Sequence, residues 1–214
     1  MGNKKQITKK TSPIVTMLRT DYEILVHTYK LFKESDQDEE DVSFLLGKPN
    51  TYYFDLLDPT EKKKLKHEYI PLFVPIFGVS LDAILPETKN ADEEVKIRAT
   101  SKFNKKSIIY KHEVTYADGT VSNEIEWSRK LQKGVRSVEN KRLTAYIKFL
   151  IDEGYFLKPR TALYLFIHIK AYFHFEYSVK DLRVSLAKLL RTDLGKIPVL
   201  KRKIFNARYT YCKV

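Results

Sequence analysis

The stretch Ser107–Trp127, SIIYKHEVTYADGTVSNEIEW, carries the clearest strand signal in the chain. Ile108, Tyr110, His112, Val114 and Tyr116 alternate with polar residues, and Val121, Ile125 and Trp127 do the same beyond Ala117-Asp118-Gly119-Thr120. A period of two is what a half-buried strand requires, and Asp-Gly between two such runs predicts a β-hairpin with a two-residue turn. That turn pairs Tyr116 with Val121, His112 with Ile125 and Tyr110 with Trp127. The apolar residues then share one face, and Lys111 meets Glu126 on the other.

Working outward, the flanks read as helix. Gly and Pro number only 7 and 8, so turns are few. Upstream, residues 87–106 are polar and charged and predict a linker. Residues 14–86 predict a compact helical unit: Ile14, Met17, Leu18, Tyr22, Leu25, Tyr29 and Phe32 recur at three- and four-residue steps, the buried stripe of an amphipathic helix. Val42, Leu45 and Leu46 fill a short second helix that Gly47 closes as a left-handed cap. A third runs from Pro49 to Leu57, with Tyr53 and Phe54 inward. A fourth carries Leu65, Tyr69, Leu72 and Phe73. Residues 1–13 read as a disordered basic arm; no apolar core follows it, so no secretory signal is expected.

Downstream, three helices are expected. Val138–Asp152 carries Leu143, Tyr146, Ile147 and Leu150, and Glu153-Gly154 ends it. Pro159–Phe175 is apolar nearly all round, which predicts burial, so its Tyr164, Phe166, Tyr172, Phe173 and Phe175 read as core more readily than as stacking surfaces for bases. Ser178–Arg191 opens with Ser178 and Asp181 in capping-box spacing. The tail from Val199 to Cys212 has two strand-like runs broken at Asn206-Ala207. The resulting fold class is mainly α with one β-hairpin.

Charge divides the chain. Residues 101–214 hold 24 of the 39 Lys and Arg but 10 of the 27 Asp and Glu, which accounts for the net charge of +12. A surplus confined to one half suggests a surface for a polyanion, with nucleic acid the first candidate. The one cysteine, Cys212, excludes an internal disulfide and a cysteine zinc site. No apolar run approaches the roughly 18–20 residues that span a bilayer. A cytoplasmic protein away from the membrane is expected.

The segment DEEDVSFLLGKPNTYYFDLLDP, Asp38–Pro59, resembles the helix-turn-helix of the Xre/Cro (lambda-repressor-like) family. Val42-Ser43 stands where that family has Leu-Ala, Leu46-Gly47 matches its turn, and FGVSLDAIL is similar to its last helix. The resemblance covers residues 14–86 and implies that Lys48, Asn50, Thr51, Tyr52 and Asp55 face the major groove. Glu39 stands where the family places a phosphate-contacting Gln, and Asp36, Asp38, Glu40 and Asp41 surround it. Such an edge repels phosphate and suits a protein partner instead.

The basic half offers a second reader. Three helices followed by a two-stranded tail is the order of a winged-helix domain. Lys180, Arg183, Lys188 and Arg191 would then lie on the outer face of the last helix, and Lys201, Arg202, Lys203 and Arg208 on the wing, mostly as phosphate contacts. Enzyme readings find less support. The histidines are scattered, Glu94-x-Lys96 is too short a pattern to define a nuclease, and there is no phosphate-binding glycine loop or nucleophile elbow. The expectation is a non-enzymatic, cofactor-free, metal-free transcriptional regulator that binds double-stranded DNA. The exposed face of the Asp118-Gly119 hairpin offers a homodimer contact. A protein-interaction module, antitoxin-like or adaptor, is the alternative, and a metal-dependent nuclease the third.

Overall fold

The computed structural model describes residues 8–58, 63–87, 90, 92–103, 107–130, 138–190 and 199–214. The chain is mixed α/β, with seven α-helices and two antiparallel sheets among these residues, and the expectation of a mainly α protein with one hairpin is overturned. It divides into two compact units: Met1–Asp36 with Phe54–Lys133, and Gln37–Tyr53 with Gly134–Val214. The division expected from the sequence was linear. Instead, the Asp38–Asp41 segment groups with the C-terminal helices, and the hairpin groups with the N-terminal helix.

In unit 1 a four-stranded sheet runs in the order β1 (Thr8–Leu18), β2 (Glu94–Phe103), β3 (Ser107–Thr115), β4 (Val121–Lys130). Two of these strands replace elements read otherwise. Residues 8–13 form strand rather than arm, and the helix expected from Ile14 begins at Arg19 as α1 (Arg19–Glu34). Ile14 and Leu18 are therefore exposed, while Tyr22, Leu25 and Tyr29 are buried as the stripe requires. The expected linker contains β2, whose Val95, Ile97 and Ala99 are buried in alternation with exposed Lys96 and Arg98. β1 lies at the edge of the sheet and carries Pro13 within a bulge between Thr11 and Ile14, a position where the missing N–H costs no ladder bond. The Ser12 hydroxyl accepts the Ala99 N–H at 2.9 Å instead.

The β3–β4 hairpin keeps the expected register at Tyr110–Trp127, Lys111–Glu126 and His112–Ile125, and Lys111 and Glu126 form an ion pair at 2.7 Å. A bulge between His112 and Val114 then shifts the pairing, so that Thr115 rather than Tyr116 opposes Val121. The cause is the turn. A two-residue type I′ turn needs positive φ at both central positions, but only Gly119 has it, at +83°. Tyr116 and Thr120 close a three-residue loop, and the Asp118 carboxylate accepts the Thr120 N–H at 2.8 Å. Trp127 stacks on Tyr29, with 4.6 Å between ring centroids. His112 lies between Tyr22 and Trp127, buried, with no hydrogen-bond partner for either ring nitrogen among the described residues. Loss of water there pulls its pKa down to about 4.

Three further helices lie outside the basic half. α2 (Glu39–Leu45) and α3 (Tyr52–Leu57) fall close to the expected second and third helices. α4 (Ile70–Phe77) starts later than expected, with Tyr69 in a preceding 3-10 turn. Ile84 is buried, but residues 81–85 form turns rather than a closing helix.

Unit 2 continues with α5 (Lys141–Asp152), β5 (Arg160–Thr161), α6 (Ala162–Tyr172), α7 (Val179–Leu189), β6 (Leu200–Phe205) and β7 (Arg208–Lys213). The three strands lie in the order β5-β7-β6, which puts β6 at an edge. Asn140 caps α5 through the Leu143 N–H, and Gly154 follows it at φ +80°. Ser178 and Asp181 form the expected reciprocal capping box on α7. Leu143, Ile147, Leu150, Leu165, Ile169, Leu182 and Leu186 make the core, with a Thr144–Ser185 hydrogen bond of 2.9 Å inside it. α6 is not buried all round. Tyr164, Ile167 and Tyr172 are exposed, as is Phe175 beyond its end, while Phe166 and Phe173 are half-buried.

Candidate nucleic-acid interface

Unit 2 brings together residues that the sequence places in two separate readers. α2 packs against α6 and α7, and Gly47, at φ +71°, turns the chain after it. The turn lies against the start of β7: the Tyr209 N–H donates to the Gly47 carbonyl at 2.7 Å, and Arg208 Nε to the Leu46 carbonyl at 2.9 Å. A Cβ at Gly47 would lie 3.2 Å from the backbone N and O of Tyr209, so close approach and left-handed backbone both require glycine. Lys48 Nζ donates to the Ala207 carbonyl and lies over the Tyr52 ring. Lys48, Asn50, Arg183, Arg202 and Tyr209 line one cleft of about 200 Å³. That is smaller than the roughly 300–1,000 Å³ of small-molecule sites.

The cations of α7 are largely committed. Arg183 sits against the acidic start of α2, with Nη1 2.8 Å from Glu40 and 3.6 Å from Asp41, and Nη2 3.7 Å from Asp38. Its side chain is 20% exposed. Lys188 pairs with Glu139 at 2.6 Å. Lys180 is half-buried, and Arg191 lies outside the described residues. The Asp38–Asp41 run, read as a repulsive edge, thus has a cationic neighbour within its own unit. Asp41 is also a capping residue of α2, exchanging hydrogen bonds with Asp38. Burial, reinforced by Asp38, raises its pKa to about 6, against the opposing pull of Arg183.

β6 behaves differently. Lys201, Arg202 and Lys203 are exposed, and none of the ion pairs among the described residues involves them. Arg202 lies over the Tyr209 ring at 4.4 Å, which fixes the guanidinium but leaves its charge available. Asn206 and Ala207, both at positive φ (48° and 56°), join β6 to β7 in a tight two-residue turn. Arg208 is half-buried and holds the Leu46 carbonyl. Asn50 and Thr51 are exposed, and Tyr52 is half-buried at the start of the six-residue α3.

Sequence reasoning missed a second cluster in this unit. Arg160 lies over both Tyr155 and Tyr164, at 4.9 and 4.6 Å, and Arg142 over Phe175 at 4.7 Å. Tyr155, His168 and Tyr172 continue the row at ring spacings of 4.6 and 4.8 Å. The signal was Arg160 set beside Tyr155 and Tyr164, hidden by treating the whole of residues 159–175 as core.

Among the described residues no helix is long and apolar enough to cross a membrane. Comparison with protein-family models, with curated proteins and with solved structures gave no match.

Proposed function

We propose that this chain is a non-enzymatic DNA-binding protein acting in transcriptional regulation. Unit 2 serves as a winged-helix-type module whose hairpin supplies most of the phosphate contacts. The order α5-β5-α6-α7-β6-β7, with the first strand beside the last, supports a winged helix. The observation that carries the reading is the row Lys201, Arg202 and Lys203, three exposed cations on an edge strand without carboxylate partners among the described residues. Phosphates attract such a row by counterion release, which gives affinity without sequence choice. The test is a titration of random duplex and of single strands at two salt concentrations. A duplex affinity that falls steeply with salt supports the reading, and binding that is absent or indifferent to salt sinks it.

The exposed rings of Phe149, Tyr164, Tyr172 and Phe175 favour a second reading, a protein-interaction module, because aromatic side chains and arginine are enriched where proteins meet partners. Replacing Tyr164 and Tyr172 by Ser leaves duplex binding intact under the first reading. Under the second, the same change abolishes the chain's association with its partner.

A further inference from the structure

The tip of the β6–β7 hairpin holds two large apolar side chains in water. Ile204 is 71% and Phe205 61% exposed. Floppiness does not account for this. The turn beyond them is tied to the rest of unit 2 by Lys48 Nζ on the Ala207 carbonyl, Arg208 Nε on the Leu46 carbonyl and the Tyr209 N–H on the Gly47 carbonyl. The pair is presented on a stiff support.

Their directions narrow the occupant. Neighbours along a strand point to opposite faces, so Ile204 and Phe205 flank the hairpin on both sides. A flat protein surface could cover only one of them, whereas a groove encloses both. The cations divide the same way: Arg202 shares the face of Ile204, and Lys201 and Lys203 share that of Phe205. Each apolar residue is thus followed back along the strand by positive charge on its own side. The groove that matches gives access, once a base step opens, to the apolar faces of stacked bases and has an anionic rail on each wall. Lysines along an exposed edge strand also discourage pairing with a second β6.

We infer that the Ile204-Phe205 tip is a wedge that enters the minor groove of duplex DNA and partly unstacks a base step, with Lys201, Arg202 and Lys203 on the flanking phosphates. This rests on the reading of unit 2 as a DNA-binding module. Apolar wedges of this sort kink duplexes by roughly 20–90° toward the major groove. Pyrimidine–purine steps open most easily, so TA and CA steps are the preferred sites.

The test uses the full chain and a duplex of about 25 base pairs with one central TA step, carrying a fluorescent donor and acceptor at its ends. Wild type shortens the end-to-end distance. Ile204→Ser with Phe205→Ser binds about tenfold more weakly, keeps the salt slope, and leaves the duplex straight. Phe205→Leu retains part of the bend. Both side chains are mostly in water, so neither variant threatens the fold. A bend of equal size in the Ser double variant overturns the wedge while leaving DNA binding in place. Failure of wild type to bind any duplex removes the reading of the unit and the wedge with it. Two other results also overturn the wedge: tighter retention by vesicles of anionic phospholipid than by duplex, or a double variant that changes only the oligomeric state in light scattering.

Discussion

Helix α7 and strand β6 carry similar charge in the sequence and different charge at the surface. Lys180, Arg183 and Lys188 lie on one, Lys201, Arg202 and Lys203 on the other. On α7, Arg183 meets Asp38, Glu40 and Asp41, and Lys188 meets Glu139. On β6 no carboxylate among the described residues answers. Two of the helix's cations are engaged by carboxylates of their own unit, and those of the strand stand exposed without a carboxylate partner among the described residues. Counting Lys and Arg along a chain therefore overstates a binding surface wherever the fold returns an acidic segment to it.

The contrast can be broken most directly by charge reversal. Lys201→Glu with Arg202→Glu and Lys203→Glu lowers duplex affinity about a hundredfold and reduces the salt slope by about three, read by anisotropy titration across salt. Melting of that variant stays close to wild type. Arg183→Ala does the reverse. It strands Asp41 as a buried carboxylate without its cation and costs about 2 kcal/mol of stability in denaturant unfolding at neutral pH, with duplex affinity changed less than twofold. A large affinity loss on Arg183→Ala would place α7 at the DNA after all.

The pH dependence of unit 2 sharpens the same point. The Asp41 pKa is raised from the ordinary 3.8 to about 6, so the folded state holds its proton more tightly than the unfolded chain does. Stability from this group is greatest below pH 4 and declines as pH rises through 6. Asp41→Asn removes that decline, so the stability of the variant relative to wild type rises across the window as pH increases from 4 to 6. A slope unchanged in the variant would assign it to another group. The smallest effect belongs to the exposed pair: Lys188→Ala shifts stability by no more than about 0.5 kcal/mol, since solvent already screens its contact with Glu139.

What the sequence made legible was local. The alternation around Tyr110 and Trp127 carried the hairpin and its Lys111–Glu126 pair, Ser178 and Asp181 marked the start of α7, and Gly47 marked a left-handed turn. What stayed hidden depended on partners far along the chain. Ile14, Met17 and Leu18 fit the helical stripe of α1 as well as a strand, and only β2, some eighty residues on, decides between them. Val95, Ile97 and Ala99 did alternate, but Ala99 is small and the acidic residues before Val95 resemble a linker. At the candidate site, the neutralising of Arg183 comes from residues more than 140 positions upstream, which no local window contains. The hairpin basicity needed no such partner, so it could be read directly.

The bulge at Ser12-Pro13 bears on how the protein lives at high concentration. A sheet rim with an unbroken row of donors and acceptors invites another polypeptide to zip alongside. Here the imino acid offers no donor, so the row is interrupted near its middle. Straightening it with Pro13→Val would turn that rim into a template, and the result would be turbidity on standing rather than any loss of fold.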